Sequence, residues 1–476
     1  MDRYSIKTPI YYANGKPHIG HAYTTVASDV LARLNKQLGK EVFFLTGTDE
    51  HGAKVADTAV SVGKVPQDFV DEIATSFKEC WQKLDIEYSD FIRTTDKRHE
   101  TGVIFALKKL KETDVIYEKT YTGLYCTGCE AFVTEKDLDE QGFEPLHQKK
   151  PVVVEEKNWF FSLAKFLPEI KQAIETDRIK ITPVERKNEV LGLFQQGLED
   201  FSISRSKERL KWGIELPFDS TQVAYVWVDA LLNYITALGY GSDNDELLKK
   251  FWPADVQVMA QDILKFHAIY WPAILLALGQ ELPKSISIHG FFTINGQKMS
   301  KSLGNVIDPA DLVLEYGSDA TRFLLLSAFP FGNSGDIDVQ NFREKYNSIA
   351  NTLGNLVRRA FNLAEKYGVV IETVPPLDKS VFSESSVENL RVLQNVLETA
   401  RELNVELDKQ APWKEADETK RNAIVKNSLE KILALAQMLA PTMPSIAKAI
   451  LGAVGSDGKI TNPPVLFPKQ DKFIAK

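Results

Sequence analysis

Cysteine is scarce in this 476-residue chain: there are three, and only Cys126 and Cys129 stand close together. That scarcity excludes a disulfide framework and points to a reducing compartment, with the Cys-x-x-Cys pair suited to a metal instead. Long apolar runs are also missing. Stretches such as Pro272 to Leu278 are far too short to cross a bilayer, and no signal peptide opens the chain, so a cytoplasmic protein without a membrane partner is expected. An excess of positive charge is absent too. The formal net charge of -8 excludes a protein that coats nucleic acid generally and confines any such contact to a local basic patch. No internal repeat or low-complexity segment occurs. What is present, 44% hydrophobic and 26% charged residues, suits a globular chain with two or more domains and sizeable cores.

Two distant stretches organise the rest. Tyr4, Ile6, Thr8 and Ile10 alternate as a strand does, Asn14-Gly15-Lys16-Pro17 break the pattern, and Ala22 to Leu38 carry apolar residues at helical spacing. His18-Ile19-Gly20-His21 therefore falls where a strand hands over to a helix. Unpaired backbone N–H groups and the helix dipole make such a turn an anion site. Gly20 allows close approach of a flat ring or phosphate, and His18 and His21 add imidazole donors for phosphate oxygens. The second stretch, Lys298-Met299-Ser300-Lys301-Ser302, supplies Lys298 and Lys301 as point charges for a pyrophosphate leaving group.

Between them the pattern changes more than once. Residues 1–115 alternate strand-like and helical stretches. Glu41 to Leu45 reads as a buried parallel strand running into Gly47-Thr48-Asp49-Glu50-His51-Gly52, where Asp49 is either a turn former or a ligand carboxylate. In an open α/β sheet the ends of both strands should open on one crevice. Residues 116–200 interrupt this pattern and hold the Cys126/Cys129 half-site, with His147 as a candidate third ligand. The fourth is open: Glu144, Asp137 or Asp139 can substitute, or the metal is absent. From 201 the α/β pattern resumes. Trp227, Ala230, Leu231 and Tyr234 share one helical face, fit for core or for pocket, and Val256 to Met259 reads as a strand leading to Asp262, where a carboxylate can accept from a ribose. After a junction over 276–335, residues 336–476 are almost wholly helical, with Asn355 and Arg359 on one helix face and Trp413 near a helix start.

The two organising stretches resemble the paired signatures of class I aminoacyl-tRNA synthetases. Ile10-Tyr11-Tyr12, Gly47 to Gly52, Tyr225 to Tyr234, and Asp262-Ile263 followed by His267 narrow the resemblance to the methionyl-tRNA synthetases, over nearly the whole chain. The resemblance implies an α/β fold: a Rossmann-like parallel-sheet catalytic domain in two halves (1–115 and 201–275), an inserted connective, zinc-knuckle-like domain (116–200), a junction (276–335) and an all-α anticodon-binding helix bundle (336–476). It implies ATP-dependent joining of methionine to tRNA(Met) through methionyl-adenylate, with Mg²⁺ bridging phosphates and Zn²⁺ an open question.

Residue by residue, the resemblance implies that His18, His21, Lys298 and Lys301 are catalytic, and that these with Gly20, Asp262, Met299 and Ser300 hold ATP. Ile10, Tyr12, Trp227, Ala230, Leu231, Tyr234, Ile263 and His267 would wall a thioether pocket, with Tyr12 or His267 offering the sulfur a weak hydrogen bond. Asp49 would hold the substrate ammonium, braced by Arg205. Trp413 would stack on an anticodon base while Asn355 and Arg359 read base edges. Two departures stand out: Glu144 occupies a place where such enzymes often carry cysteine, and Ala260-Gln261 replaces the usual Gly-Lys, removing a charge beside the nucleotide. No length remains after the bundle for an appended dimer-forming module, so a monomer is expected. The interval between the signatures is too short for the editing insertion of leucine, isoleucine and valine enzymes. A cysteine enzyme would want a metal in the pocket, and small nucleotidyltransferases lack the second signature and the bundle. An inactive tRNA-binding paralogue is the remaining alternative.

Overall fold

The computed structural model describes residues 2–126, 131–133, 135, 138–145, 149–294, 296–299, 306–337, 339–383 and 387–468. A seven-stranded sheet lies at its centre. We label its strands β1 (Arg3–Lys7), β2 (Tyr11–Tyr12), β3 (Glu41–Asp49), β4 (Asp90–Arg93), β5 (Lys180–Thr182), β6 (Val256–Ala260) and β7 (Ser285–His289). All pairings are parallel, in the order β3-β1-β6-β7-β5. Leu45 pairs with both Lys7 and Asp90, and Thr48 with both Tyr11 and Arg93, so β1 and β2 lie along one edge of β3 and β4 along the other.

The sequence reading of one alternating strand through Ile10 needs correction: the strand breaks after Lys7 and resumes at Tyr11. Ser5 and Lys7 are as buried as Tyr4 and Ile6, because both faces of a parallel sheet are covered. Of the two readings of Asp49, the turn former is likewise corrected, because Gly47–Asp49 is the end of a longer β3. Gly47 permits that extension, since a Cβ there would meet the Ile92 carbonyl oxygen of β4 at 1.9 Å.

Helix α1 (Ile19–Gln37) packs on one face and α2 (Val226–Thr236) on the other. The core on the α1 side runs on into the C-terminal helices through Phe323, Leu356 and Ile432, while the α2-side core reaches Phe161 and Phe201 of the insertion. That insertion is antiparallel: Ile116–Cys126 pairs with Val152–Phe161, flanked by Ala131–Val133 and Phe201–Ser202. Helices from Val339–Ile349 to Pro444–Gly452 form the C-terminal bundle. Among the described residues no helix is long and apolar enough to cross a membrane.

The sheet order reverses at β1, with β3 on one side and β6 on the other. Ligands of open α/β sheets sit beyond the strand ends at such a switch point. The chain segments there are Thr8–Ile10, Asp49–Gly52 and Ala260–Ile263.

Candidate functional site

A cavity of 390 Å³ opens at that point, within the range of about 300–1,000 Å³ usual for small-molecule sites. Its wall includes Ile10, Tyr12, His18, Gly20, His21, Asp49, Trp227, Ala230, Leu231, Tyr234, Asp262, Ile263, His267 and Met299. These positions span the chain from 10 to 299, and folding brings them to one place. Ser300 and Lys301 lie outside the described residues. The backbone of Lys298 pairs with Thr293 in a small antiparallel ribbon.

His18 caps α1 with its side chain. Its Nδ1 accepts from Gly20 N at 3.1 Å, and His21 Nδ1 accepts from His18 N at 3.3 Å, a reciprocal box built from two histidines. The rings stack at 3.8 Å. With both Nδ1 atoms accepting, each neutral imidazole carries its proton on Nε2 as a donor. A Cβ at Gly20 would sit 2.9 Å from His18 Cε1, so the glycine makes the stack possible. The same point lies 3.4 Å from Met299 Cε, and Ile19 N donates to Ile307 O at 3.2 Å. The two organising stretches therefore meet at the start of α1.

At the other end the wall is aromatic. Trp227 stacks on Phe266 at 3.9 Å and meets Tyr12 edge-on at 6.1 Å. Tyr234 Oη is 2.8 Å from His267 Nε2, and His267 Nδ1 is 2.9 Å from Ile263 O. Burial lowers the His267 imidazole to about 4 despite that backbone bond, so it is neutral near pH 7. Its Nδ1–H donates to Ile263, its Nε2 accepts from Tyr234, and it has no proton to offer a sulfur atom. The expectation that His267 would do so is corrected on this ground.

Asp49 is 3% exposed and is the cross-strand partner of Tyr12. Asp262 is exposed at the rim. Its neighbour Gln261 accepts through Oε1 from Arg186, which also pairs with Glu189 at 2.5 Å. Arg205 is buried, donating to Ser202 Oγ at 2.9 Å and Ser204 O at 2.7 Å, with its guanidinium 4.1 Å from the Tyr225 ring centre.

Sequence reasoning missed several wall residues, among them Lys54, Phe266 and His289. It also missed a buried support behind the wall. Asp229 on α2 sits 2.7 Å from His51 Nδ1 and 2.8 Å from His99 Nε2, and His99 Nδ1 is 2.7 Å from Thr236 Oγ1. Burial opposes charge on this carboxylate, yet His51 and His99 hold it down to about 2. Burial likewise opposes charge on His51, and Asp229 outweighs it, raising the imidazole above its usual value.

At the proposed metal site Cys126 Sγ and Glu144 Oε2 are 4.0 Å apart and both buried. Zinc bonds of about 2.3 Å to sulfur and 2.0 Å to oxygen reach across that gap, so these two fit a zinc. Cys129, His147 and Asp137 lie outside the described residues, and among the described residues no group of three potential ligands converges. In the bundle, Arg359 pairs with Asp408 and lies 5.5 Å from the Trp413 ring, which is 43% exposed, while Asn355 Oδ1 accepts from Arg358 at 3.0 Å.

The family model described as tRNA synthetases class I (M) matches residues 4–144 and 143–361. A methionine–tRNA ligase of Clostridium perfringens is 41% identical, covering 98% of this chain and 78% of that protein. That of Rickettsia conorii is 39% identical, covering 98% and 99%. The crystal structure of Mycobacterium tuberculosis methionyl-tRNA synthetase bound by methionyl-adenylate superposes with a TM-score of 0.89 at 30% identity, covering 98% of this chain and all of that one. On the strength of that likeness along almost its entire length, the chain belongs to the methionyl-tRNA synthetase family of class I.

Proposed function

We propose that the cavity at the β1/β6 switch point is where methionine and ATP are joined. The chain catalyses ATP-dependent ligation of methionine to tRNA(Met) through methionyl-adenylate, releasing pyrophosphate and AMP. The observation that carries the site assignment is the single cavity lined by the doubly capped His18-His21 turn at one end and the Trp227-Tyr234-Tyr12 wall at the other.

Asp49 takes the ammonium of methionine, and the aromatic wall takes the thioether, whose polarizable sulfur favours ring contacts. Arg205 braces the Asp49 carboxylate, and Asp262 accepts from the ATP ribose. The carboxylate attacks the α-phosphorus, and charge grows on the departing pyrophosphate. His18 and His21 donate to it through Nε2, and Lys298 and Lys301 neutralise it. The chemistry is mainly positioning and electrostatics, and no side chain of this chain changes covalently. A Mg²⁺ ion brought with the triphosphate would add to the charge neutralisation that His18, His21, Lys298 and Lys301 provide. Cys126 and Glu144, with Cys129 and His147, would supply the ligands of a structural zinc. Trp413, with Arg359 against it, offers an exposed stacking face for an anticodon base, whose edges Asn355 and Arg359 read.

The test is amino-acid-dependent ATP–pyrophosphate exchange with methionine, leucine, isoleucine and cysteine. Exchange with methionine alone is expected, and Lys301→Ala should slow it by orders of magnitude with methionine affinity unchanged. Equal exchange rates in mutant and parent would remove the lysine from the mechanism.

A further inference from the structure

Lys54 is the one fixed cation among the described residues lining the cavity. It lies in the first turn of the helix Ala53–Ser61, directly after the loop that follows β3. Its Nζ is 5.7 Å from the Tyr12 ring centre, and Tyr12 is paired across the strands with Asp49. A carboxylate and an ammonium group of the protein, one carried by the strand partner of Tyr12 and the other set near its ring, therefore line the same cavity.

An α-amino acid carries an ammonium and a carboxylate on one carbon, so whatever holds the first must lie next to whatever holds the second. Asp49 alone recognises an amine. It cannot by itself distinguish an amino acid from an amine that has lost its carboxylate.

We propose that Lys54 holds the α-carboxylate of methionine while that carboxylate acts as the nucleophile. This rests on the reading of Asp49 as the ammonium site. One carboxylate oxygen forms the new bond to the α-phosphorus, the bond from that phosphorus to the bridging oxygen breaks, and pyrophosphate leaves with the electron pair. Lys54 stays protonated throughout, so no proton is transferred. After the step its charge faces the phosphate of the adenylate, and it is paired in reactant and product alike. A lysine suits this better than an arginine would. A compact ammonium can hold one oxygen and leave the other to attack, whereas a guanidinium fork favours binding both.

The competing view is that Lys54 only covers the Tyr12 ring as a cation–π partner. The two differ in what they predict for a ligand without a carboxylate. The experiment measures calorimetric binding of L-methionine and of L-methioninol, in which a hydroxymethyl group replaces the carboxylate, to the full chain and to Lys54→Met. The parent should prefer methionine by about 10- to 100-fold, the worth of a charge-assisted hydrogen bond. Lys54→Met should lose that preference while binding methioninol as the parent does, which also shows that the pocket is intact. A mutant that keeps the preference, a parent that never shows it, or equal weakening of both ligands would each overturn the proposal. Asp49→Asn separates this from the underlying reading, because both ligands carry the ammonium and both should weaken alike. If neither weakens, the Asp49 assignment fails while the Lys54 comparison stands by itself.

Discussion

A guanidinium has donors and no acceptor, so the amide facing Arg186 must present its oxygen, and the NH₂ of Gln261 is turned elsewhere. This fixes the orientation of a side chain that immediately precedes Asp262 at the nucleotide rim. The neutral Gln261 is thus held by a cation from another helix, itself 25% exposed. Arg186→Ala should raise the KM for ATP in pyrophosphate exchange by about 3- to 10-fold, a modest effect because the group is part-solvated. The KM for methionine should not change. Gln261→Lys in that background should recover the loss by placing the charge directly, and failure to recover would show that Arg186 serves only to hold its own helix. The lost charge was legible in the sequence. Its partner was not, since 75 positions separate the two and Arg186 carries no motif.

At the scale of elements, the pocket depends on how α2 is seated against the end of β3. The face of α2 that bears Trp227, Ala230, Leu231 and Tyr234 could be read from helical spacing, and the strand–turn–helix around His18 from its pattern, because both are local regularities. The seat is non-local: His51 and Asp229 are 178 positions apart, and nothing in either neighbourhood marks the pair. Asp229 brings one carboxylate to two imidazoles and so fixes the helix to the segment that carries Asp49. Its folded-state value of about 2 lies below the ordinary 3.8. The stabilisation is therefore present above about pH 4 and lost as pH falls towards 2, and the shift is worth roughly 2 kcal/mol. His51 has the opposite sign. Its raised value gives stability that is full below its ordinary 6.5 and lost as pH rises through the folded value. The pair should thus stabilise the fold most between those limits. In thermal melts across pH, Asp229→Asn should flatten both limbs and lower stability by about 3 kcal/mol, in the range for removing one partner of a buried ion pair. An unchanged pH profile would show that the imidazoles are held by other groups.

For the whole molecule, the decisive residue is Arg322, fully buried and paired with the equally buried Asp29 of α1 at 2.6 Å. Its guanidinium also donates to Leu84 O at 3.1 Å, at the end of the helix Pro66–Lys83, and to Pro441 O and Thr442 O at 2.9 Å, between the last two helices of the bundle. Asp29 in turn accepts from Arg33 and from Glu87 N, both at 2.8 Å. One side chain therefore joins the helix that begins at His18 to the bundle that bears Trp413. A planar fork with five donors can satisfy four acceptors from three segments at once, which a lysine cannot. Arg322→Met keeps much of the volume and removes every one of these bonds, leaving Asp29 buried with less compensation. A loss of about 3–5 kcal/mol is expected. Because the lost contacts are those between units, calorimetry should resolve the parent's joint unfolding into separate transitions for the α/β unit and the bundle. Pyrophosphate exchange needs only the cavity and should fall little, while tRNA charging needs the cavity and the bundle held in register and should fall further. A mutant that melts as the parent does, with both activities reduced in equal measure, would mean that the apolar contacts shared by α1 and the C-terminal helices already fix the two units without this residue.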